Sequence, residues 1–185
     1  MNVEHTKLPG VLLIEPKVYS DARGWFMEAW QEERYATVGI GPQFVQDNIS
    51  YSEKNTVRGL HLQHPKAQGK LVQVLYGVVY DVVVDVRRGS PNFGEWLGVN
   101  LSKDNRNQLW IPAGFAHGFC AVSEKALLHY KCTSFYAPKD EITIRYDDRQ
   151  IGITWPIEAP LLSKKDEAGY NLGGIDQELL PQYDH

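Results

Sequence analysis

Polar and apolar residues alternate through residues 80–87, with Tyr80, Val82, Val84 and Val86 on one face and Asp81, Asp85 and Arg87 on the other. Successive side chains of a strand point to opposite sides, so this pattern predicts a half-buried strand. Residues 88–94, Arg-Gly-Ser-Pro-Asn-Phe-Gly, read as a turn, and residues 95–101 as the next strand. Further strands are expected at 71–76, 108–111, 119–122, 127–135 and 142–146. Helical spacing occurs only over residues 28–37, with a turn near 161–167. Short strands separated by Gly, Pro and polar turns predict an all-β sandwich or barrel with a few short helices. The chain, residues 1–185, reads as a single domain without internal repeats, and residues 173–185 as a peripheral, loosely packed tail.

Composition supports the strands: 5 Trp, 10 Tyr and 6 Phe stand beside 16 Gly and 10 Pro. Charge narrows the partners. With 19 Lys+Arg against 23 Asp+Glu, a net of -4, the chain lacks the excess of cations that would neutralise nucleic acid or an anionic membrane. Two cysteines, Cys120 and Cys132, are too few for a disulfide framework. A hairpin turning at residues 123–125 would set Cys120 opposite Leu128 rather than Cys132, so free thiols in a reducing compartment are expected. The N-terminal residues show no basic, signal-like start, and no stretch is apolar for long enough to span a bilayer. These features predict a cytoplasmic protein.

Three clusters carry candidate chemistry. In residues 57–72, Arg58, His61, His64 and Lys70 lie among glycines that permit close approach. His64, before Pro65, reads as a loop residue, whereas His61 is a candidate for proton transfer near neutral pH. In residues 111–119, His117 sits between small residues and aromatics after a Pro/Gly turn; read alone it is a satisfied core histidine. In residues 127–133, alternation turns Leu128, Tyr130 and Cys132 to one side, so Tyr130 points inward, either as packing or as a phenol able to donate a proton. His5, His129 and His185 read as structural.

The element Pro112-Ala113-Gly114-Phe115-Ala116-His117 resembles the second metal-binding motif of cupins, but Ala121 stands where an Asn would follow. Gly59-Leu60-His61-Leu62-Gln63 lacks the paired His and the Glu of the first motif. The pattern is similar to a cupin barrel without metal ligands.

A more specific resemblance covers nearly the whole chain. DARGWFMEAW at 21–30, FVQDNIS at 44–50, RGLHLQHP at 58–65, QGKLVQV at 68–74, DVVVDVRRGSPNFG at 81–94 and WIPAGFAHGF at 110–119 resemble, in order, the dTDP-4-dehydrorhamnose 3,5-epimerase family. Tyr130, YAPKDE at 136–141, ITWP at 153–156 and LLSKKD at 161–166 continue the match. The resemblance implies a cupin-type β jelly roll, a homodimer, no metal and no organic cofactor. It implies epimerisation of dTDP-4-dehydro-6-deoxy-D-glucose at C3 and C5. His61 matches the base, Asp166 its carboxylate partner, Tyr130 the acid and Lys70 the cation beside the enolate oxygen. Arg58 and Arg23 match the diphosphate-binding positions, His117 lines the site, and Tyr136 matches the aromatic stacked on the thymine base. Glu28, Gln46, Asp47, Asn48, Glu141 and Lys165 match further substrate contacts, and the segment from Arg23 to Glu28 is expected to complete the neighbouring subunit's site.

Leu62 and Gln73 depart from the aromatic and the basic or aromatic residues usual in the family. A regular strand also sets Arg58 and His61 on opposite faces, which requires a strand starting after Gly59 or a bulge. A C3-only epimerase, a metal-dependent cupin enzyme and a non-catalytic sugar-nucleotide-binding module are the alternative readings.

Overall fold

Two antiparallel sheets face each other in the computed structural model, which describes residues 1–41 and 43–183. One sheet is built from β1 (Asn2–His5), β2 (Leu12–Glu15), β5 (Gln46–Glu53), β7 (Lys70–Tyr76), β10 (Gln108–Ile111) and β12 (Lys125–Cys132), in the spatial order β1-β2-β10-β7-β12-β5. The other contains β6 (Val57–Gln63), β8 (Val78–Asp85), β9 (Trp96–Ser102), β11 (Phe115–Ala121) and β13 (Glu141–Thr143), in the order β13-β6-β11-β8-β9. Between β2 and β5 lie β3 (Val18–Asp21), β4 (Gly24–Met27) and the helix α1 (Glu32–Ala36); α2 (Lys164–Glu167) lies near the C-terminus. The fold is the expected all-β jelly roll.

The main core fills the space between the sheets. Val72, Val74, Leu109, Ile111 and Leu128 from one meet Val79, Val83, Leu101, Phe115 and Phe119 from the other. Both outer faces are also covered in part. Residues 30–44 lay Trp30, Tyr35, Ile40 and Phe44 over Leu12, Ile14, Leu71 and Trp110. Leu172, Ile175 and Leu180 cover Val82, Val84 and Ala116 on the opposite side. Ile175 and Leu180 of the segment predicted as a loose tail are therefore part of the packing: burying each such aliphatic is worth roughly 1.5–3 kcal/mol, and the Arg88 N–H donates to the Pro181 carbonyl at 2.7 Å. His185, expected to be structural, lies outside the described residues.

Double covering also corrects the reading of β8. Its two faces alternate as predicted, but the polar face turns inward, and Asp81 and Asp85 are fully buried. The Asp85 carboxylate is held by Arg87 Nε and Nη2 at 2.9 and 2.6 Å and by the Ser90 hydroxyl at 2.7 Å. A hairpin at residues 123–125 is not formed, because β11 and β12 belong to different sheets and the chain crosses between them there. Both thiols are nonetheless free and buried.

Among the described residues the hairpin β3–β4 pairs with no other strand, and it leaves Tyr19, Trp25 and Phe26 exposed. Met27 leads into the covering segment, whose α1 is capped by the Gln31 side chain accepting from the Arg34 N–H.

Candidate active site

A cavity of about 400 Å³ opens between the sheets, with different chemistry on its two walls. β6 and β11 supply Arg58, His61 and His117 to one wall; β5, β7 and β12 supply Gln46, Asn48, Ser50, Lys70 and Tyr130 to the other. Tyr136, Glu141 and Lys165 line its rim.

Arg58 and His61 reach the same cavity because β6 is irregular. Its pairing with β11 shifts register between His117 and Phe119, so the strand runs from Val57 through an internal irregularity rather than starting after Gly59. Gly59 lies at that irregularity with φ +121°, and a Cβ there would sit 2.6 Å from Gly118 Cα, so the two strands approach at a distance only glycine allows. The displaced Arg58 donates from Nε to the Ser52 hydroxyl and from Nη2 to the Tyr51 carbonyl, both at 3.0 Å.

His61 Nε2 lies 2.6 Å from Asp166 Oδ1. Ser163 fixes that carboxylate: its hydroxyl donates to Oδ2 at 2.8 Å and accepts from the Asp166 N–H at 3.1 Å, as the N-cap of α2. Burial works to raise the Asp166 carboxyl, but the bonds from His61 and Ser163 outweigh it and hold the group below the ordinary carboxylate range. An ionised carboxylate only accepts, so His61 donates through Nε2–H and keeps its Nδ1 lone pair for a substrate.

A second dyad stands beside the first. His117 pairs opposite His61 across β11 and β6, and its Nε2–H donates to both Asp81 oxygens, at 2.9 and 3.0 Å. A buried Asp81 without a partner would cost several kcal/mol, so His117 is both a satisfied interior histidine and a wall of the cavity.

On the facing wall the Tyr130 hydroxyl and the Lys70 ammonium make no hydrogen bond to another described residue. Burial, with Cys132 nearby, pushes the Tyr130 phenol above its ordinary value, so the hydroxyl keeps its proton across the neutral range. Burial pulls the Lys70 ammonium below the usual lysine value, against the opposing pull of Cys132, Glu141 and Asp81. At the rim, Glu141 accepts from the Tyr136 hydroxyl at 2.8 Å and from Lys165 Nζ at 2.9 Å. Burial would raise the Glu141 carboxyl, but these bonds hold it below its ordinary value.

A general base with an oriented tautomer, a protonated phenol on the facing wall and a lysine lining the same cavity form a site for proton transfer at carbon. A family model described as dTDP-4-dehydrorhamnose 3,5-epimerase matches residues 5–173. The chain belongs to the dTDP-4-dehydrorhamnose 3,5-epimerase family. It is 52% identical to the dTDP-4-dehydrorhamnose 3,5-epimerase of Shigella flexneri, over 95% of this chain and 98% of that protein. It is 50% identical to that of Salmonella typhimurium, over 98% and 100%. It is also similar to the crystal structure of dTDP-6-deoxy-D-glucose-3,5-epimerase from Legionella pneumophila, which was solved in complex with dTDP-4-keto-L-rhamnose. The TM-score is 0.97 and the identity 51%, covering 100% of this chain and 99% of that one.

Of the residues that the epimerase resemblance singles out, the cavity brings together His61, Asp166, Tyr130, Lys70, Arg58, Gln46, Asn48, His117, Tyr136, Glu141 and Lys165. Three lie elsewhere in their own chain. Arg23 is on the exposed β3–β4 hairpin, paired to Asp21 at 2.6 Å, and Glu28 is at its root, paired to Arg34 at 2.6 Å. Asp47, expected as a substrate contact, alternates away from Gln46 and Asn48 to the outer face, where Lys131 holds it at 2.8 Å. Residues missed from sequence are Asp81, Ser163 and Ser50. The Ser163-x-x-Asp166 spacing of a helix cap was a readable signal for Ser163. Ser50 lines the cavity with a buried hydroxyl that has no partner among the described residues; it ends the FVQDNIS string at 44–50, and nothing in that string singles it out.

No three His, Cys, Asp or Glu side chains among the described residues cluster as metal ligands. No helix among them is long and apolar enough to cross a membrane.

Proposed function

We propose that this epimerase inverts C3 and C5 of dTDP-4-dehydro-6-deoxy-D-glucose, giving dTDP-4-dehydro-β-L-rhamnose. The observation that carries the mechanism is the placement of the His61–Asp166 pair on one wall of the cavity and of Tyr130 and Lys70 on the other. His61 Nδ1 takes the proton from a carbon next to the C4 ketone. The C–H electron pair forms a C=C bond, the carbonyl π pair moves onto the C4 oxygen, and the Lys70 ammonium stabilises that enolate. Tyr130 then delivers its proton to the same carbon from the opposite face, and the electrons return to restore the ketone. Solvent reprotonates the tyrosinate and takes the proton from the imidazolium, which Asp166 has stabilised meanwhile. The second carbon follows the same course. Each cycle moves protons only, so no step needs an oxidant or reductant.

Arg58 binds the diphosphate through its planar donors, and Tyr136 stacks on the thymine. Gln46, Asn48, His117, Glu141 and Lys165 contact the rest of the substrate. The protein works as a homodimer in which the hairpin of one subunit carries Arg23 and Glu28 to the other's cavity. Supporting this reading, the hairpin is unpaired with either sheet, its aromatics are exposed, and the Arg23 side chain is 90% exposed.

NMR of the nucleotide sugar incubated with enzyme in heavy water tests the function. Deuterium at C3 and C5 with formation of the L-rhamno product is expected. Exchange and inversion at C3 alone would establish the C3-only alternative, and absence of exchange at both carbons would overturn epimerisation altogether.

A further inference from the structure

A buried chain of side chains on the outer face of the six-stranded sheet has no part in these steps. The Tyr35 hydroxyl donates to Gln108 Oε1 at 2.8 Å and lies 3.3 Å from the Ala29 carbonyl, its longer acceptor. Gln108 Nε2 donates to the Ala29 carbonyl at 2.7 Å and to Gln73 Oε1 at 3.2 Å. Gln73 Nε2 meets His129 Nδ1 at 3.0 Å, and His129 Nε2 faces Asp47 Oδ2 at 3.5 Å. Tyr35, Gln73 and Gln108 are all buried, so an unmet donor or acceptor there would be left without water as well as without a partner.

One atom sets the polarity of the whole chain. A carbonyl only accepts, so Ala29 forces Gln108 to turn its NH2 outward; that NH2 also serves Gln73 Oε1, which leaves the Gln73 NH2 for His129. The ring must then present a bare Nδ1 and carry its proton on Nε2. The charged groups facing His129 are Asp47 from β5 and Lys131 farther along β12, paired with each other at 2.8 Å. β7 offers neutral Gln73, and the residue opposite on β5 is Ile49.

We propose that Gln108, Gln73 and His129 form a directional relay of positioning residues that fixes Ala29, the root of the β3–β4 hairpin, to the sheet, and that it requires His129 as the neutral Nε2–H tautomer. The relay's effect on turnover rests on the reading in which the hairpin delivers Arg23 to the partner's cavity.

Two variants separate direction from mere packing. In Gln73→Glu the carboxylate still accepts from Gln108, but its other oxygen faces His129 Nδ1 and draws a proton there. In Gln108→Leu the Ala29 carbonyl loses its shorter donor, at 2.7 Å, and keeps only the Tyr35 hydroxyl at 3.3 Å; if that variant does not fold, Gln108→Glu, whose carboxylate likewise offers Ala29 no donor, replaces it. Imidazole 15N–1H NMR of the full-length protein should show His129 protonated on Nε2 alone in the wild type and on both nitrogens in Gln73→Glu at the same pH. Hydrogen exchange of amides at residues 24–30 should stay near wild type in Gln73→Glu and rise about tenfold in the Gln108 variant. Wild-type His129 carrying its proton on Nδ1, or unchanged hairpin exchange in the Gln108 variant, would overturn the relay. KM for the nucleotide sugar should rise with exchange while kcat stays within about twofold. Faster exchange with an unchanged KM would uphold the relay and count instead against the hairpin's role at the partner's cavity.

Discussion

His61 and Asp166 are separated by 105 residues of sequence and by 2.6 Å in space, and the hydroxyl of Ser163 holds the carboxylate oxygen that His61 does not use. The strand presents the imidazole, while the cap of a four-residue helix sets the direction of its proton. Asp166→Asn replaces an acceptor-only carboxylate with an amide that can turn its NH2 to His61, so the tautomer is no longer dictated, and it removes the charge that stabilises the imidazolium. Steady-state kinetics should show kcat falling by about 10^3-fold with KM nearly unchanged. A kcat within tenfold of wild type would mean that the pair does not organise the base.

Asp85 gives a stability test remote from the chemistry. Burial acts to raise its carboxyl, but hydrogen bonds from Arg87, Ser90 and the Arg87 backbone bring it below the ordinary range. A depressed carboxylate stabilises the fold above its unfolded pKa, near 4, and that contribution is lost as pH falls through the lower folded value. Asp85→Asn should therefore cost about 3 kcal/mol in urea unfolding at pH 7, and the gap to wild type should close as the pH drops below about 4.

Ser50 separates binding from folding. Its hydroxyl is buried on the cavity wall without a partner, so Ser50→Ala should leave the thermal midpoint unchanged or slightly higher. Through loss of a substrate hydrogen bond, KM should rise by roughly three- to tenfold. A lowered midpoint with an unaltered KM would make Ser50 a packing residue only.

The cross-subunit hairpin is open to complementation. Arg23→Ala and His61→Ala should each be nearly inactive alone. Mixed and reassembled in equal amounts they should recover about a quarter of wild-type activity, because half the dimers are hybrids with one intact site of two. No recovery would place Arg23 at its own subunit's cavity.

Legibility in the sequence followed chemistry rather than chain order. β7, β9 and β10 were readable because one face of each meets apolar neighbours, whereas β5 was not: it turns Gln46, Asn48 and Ser50 to a polar cavity, and hydrophobic period loses its meaning there. Asp81 and Asp85 looked solvent-facing because alternation tells which residues share a face, and not what covers it. Leu172, Ile175 and Leu180 are spaced too irregularly to reveal that they cover a sheet. His61, Tyr130 and Lys70 lie on strands from both sheets, so their convergence was legible only through the family resemblance.

The division of labour between the two walls is tested most directly by deuterium exchange in Tyr130→Phe, followed by NMR of the nucleotide sugar in heavy water. With His61 intact, exchange at C3 and C5 should continue while the epimerised product falls by at least about 10^2-fold. Full inversion in this variant, or the loss of all exchange, would contradict a base on one wall working with an acid on the other.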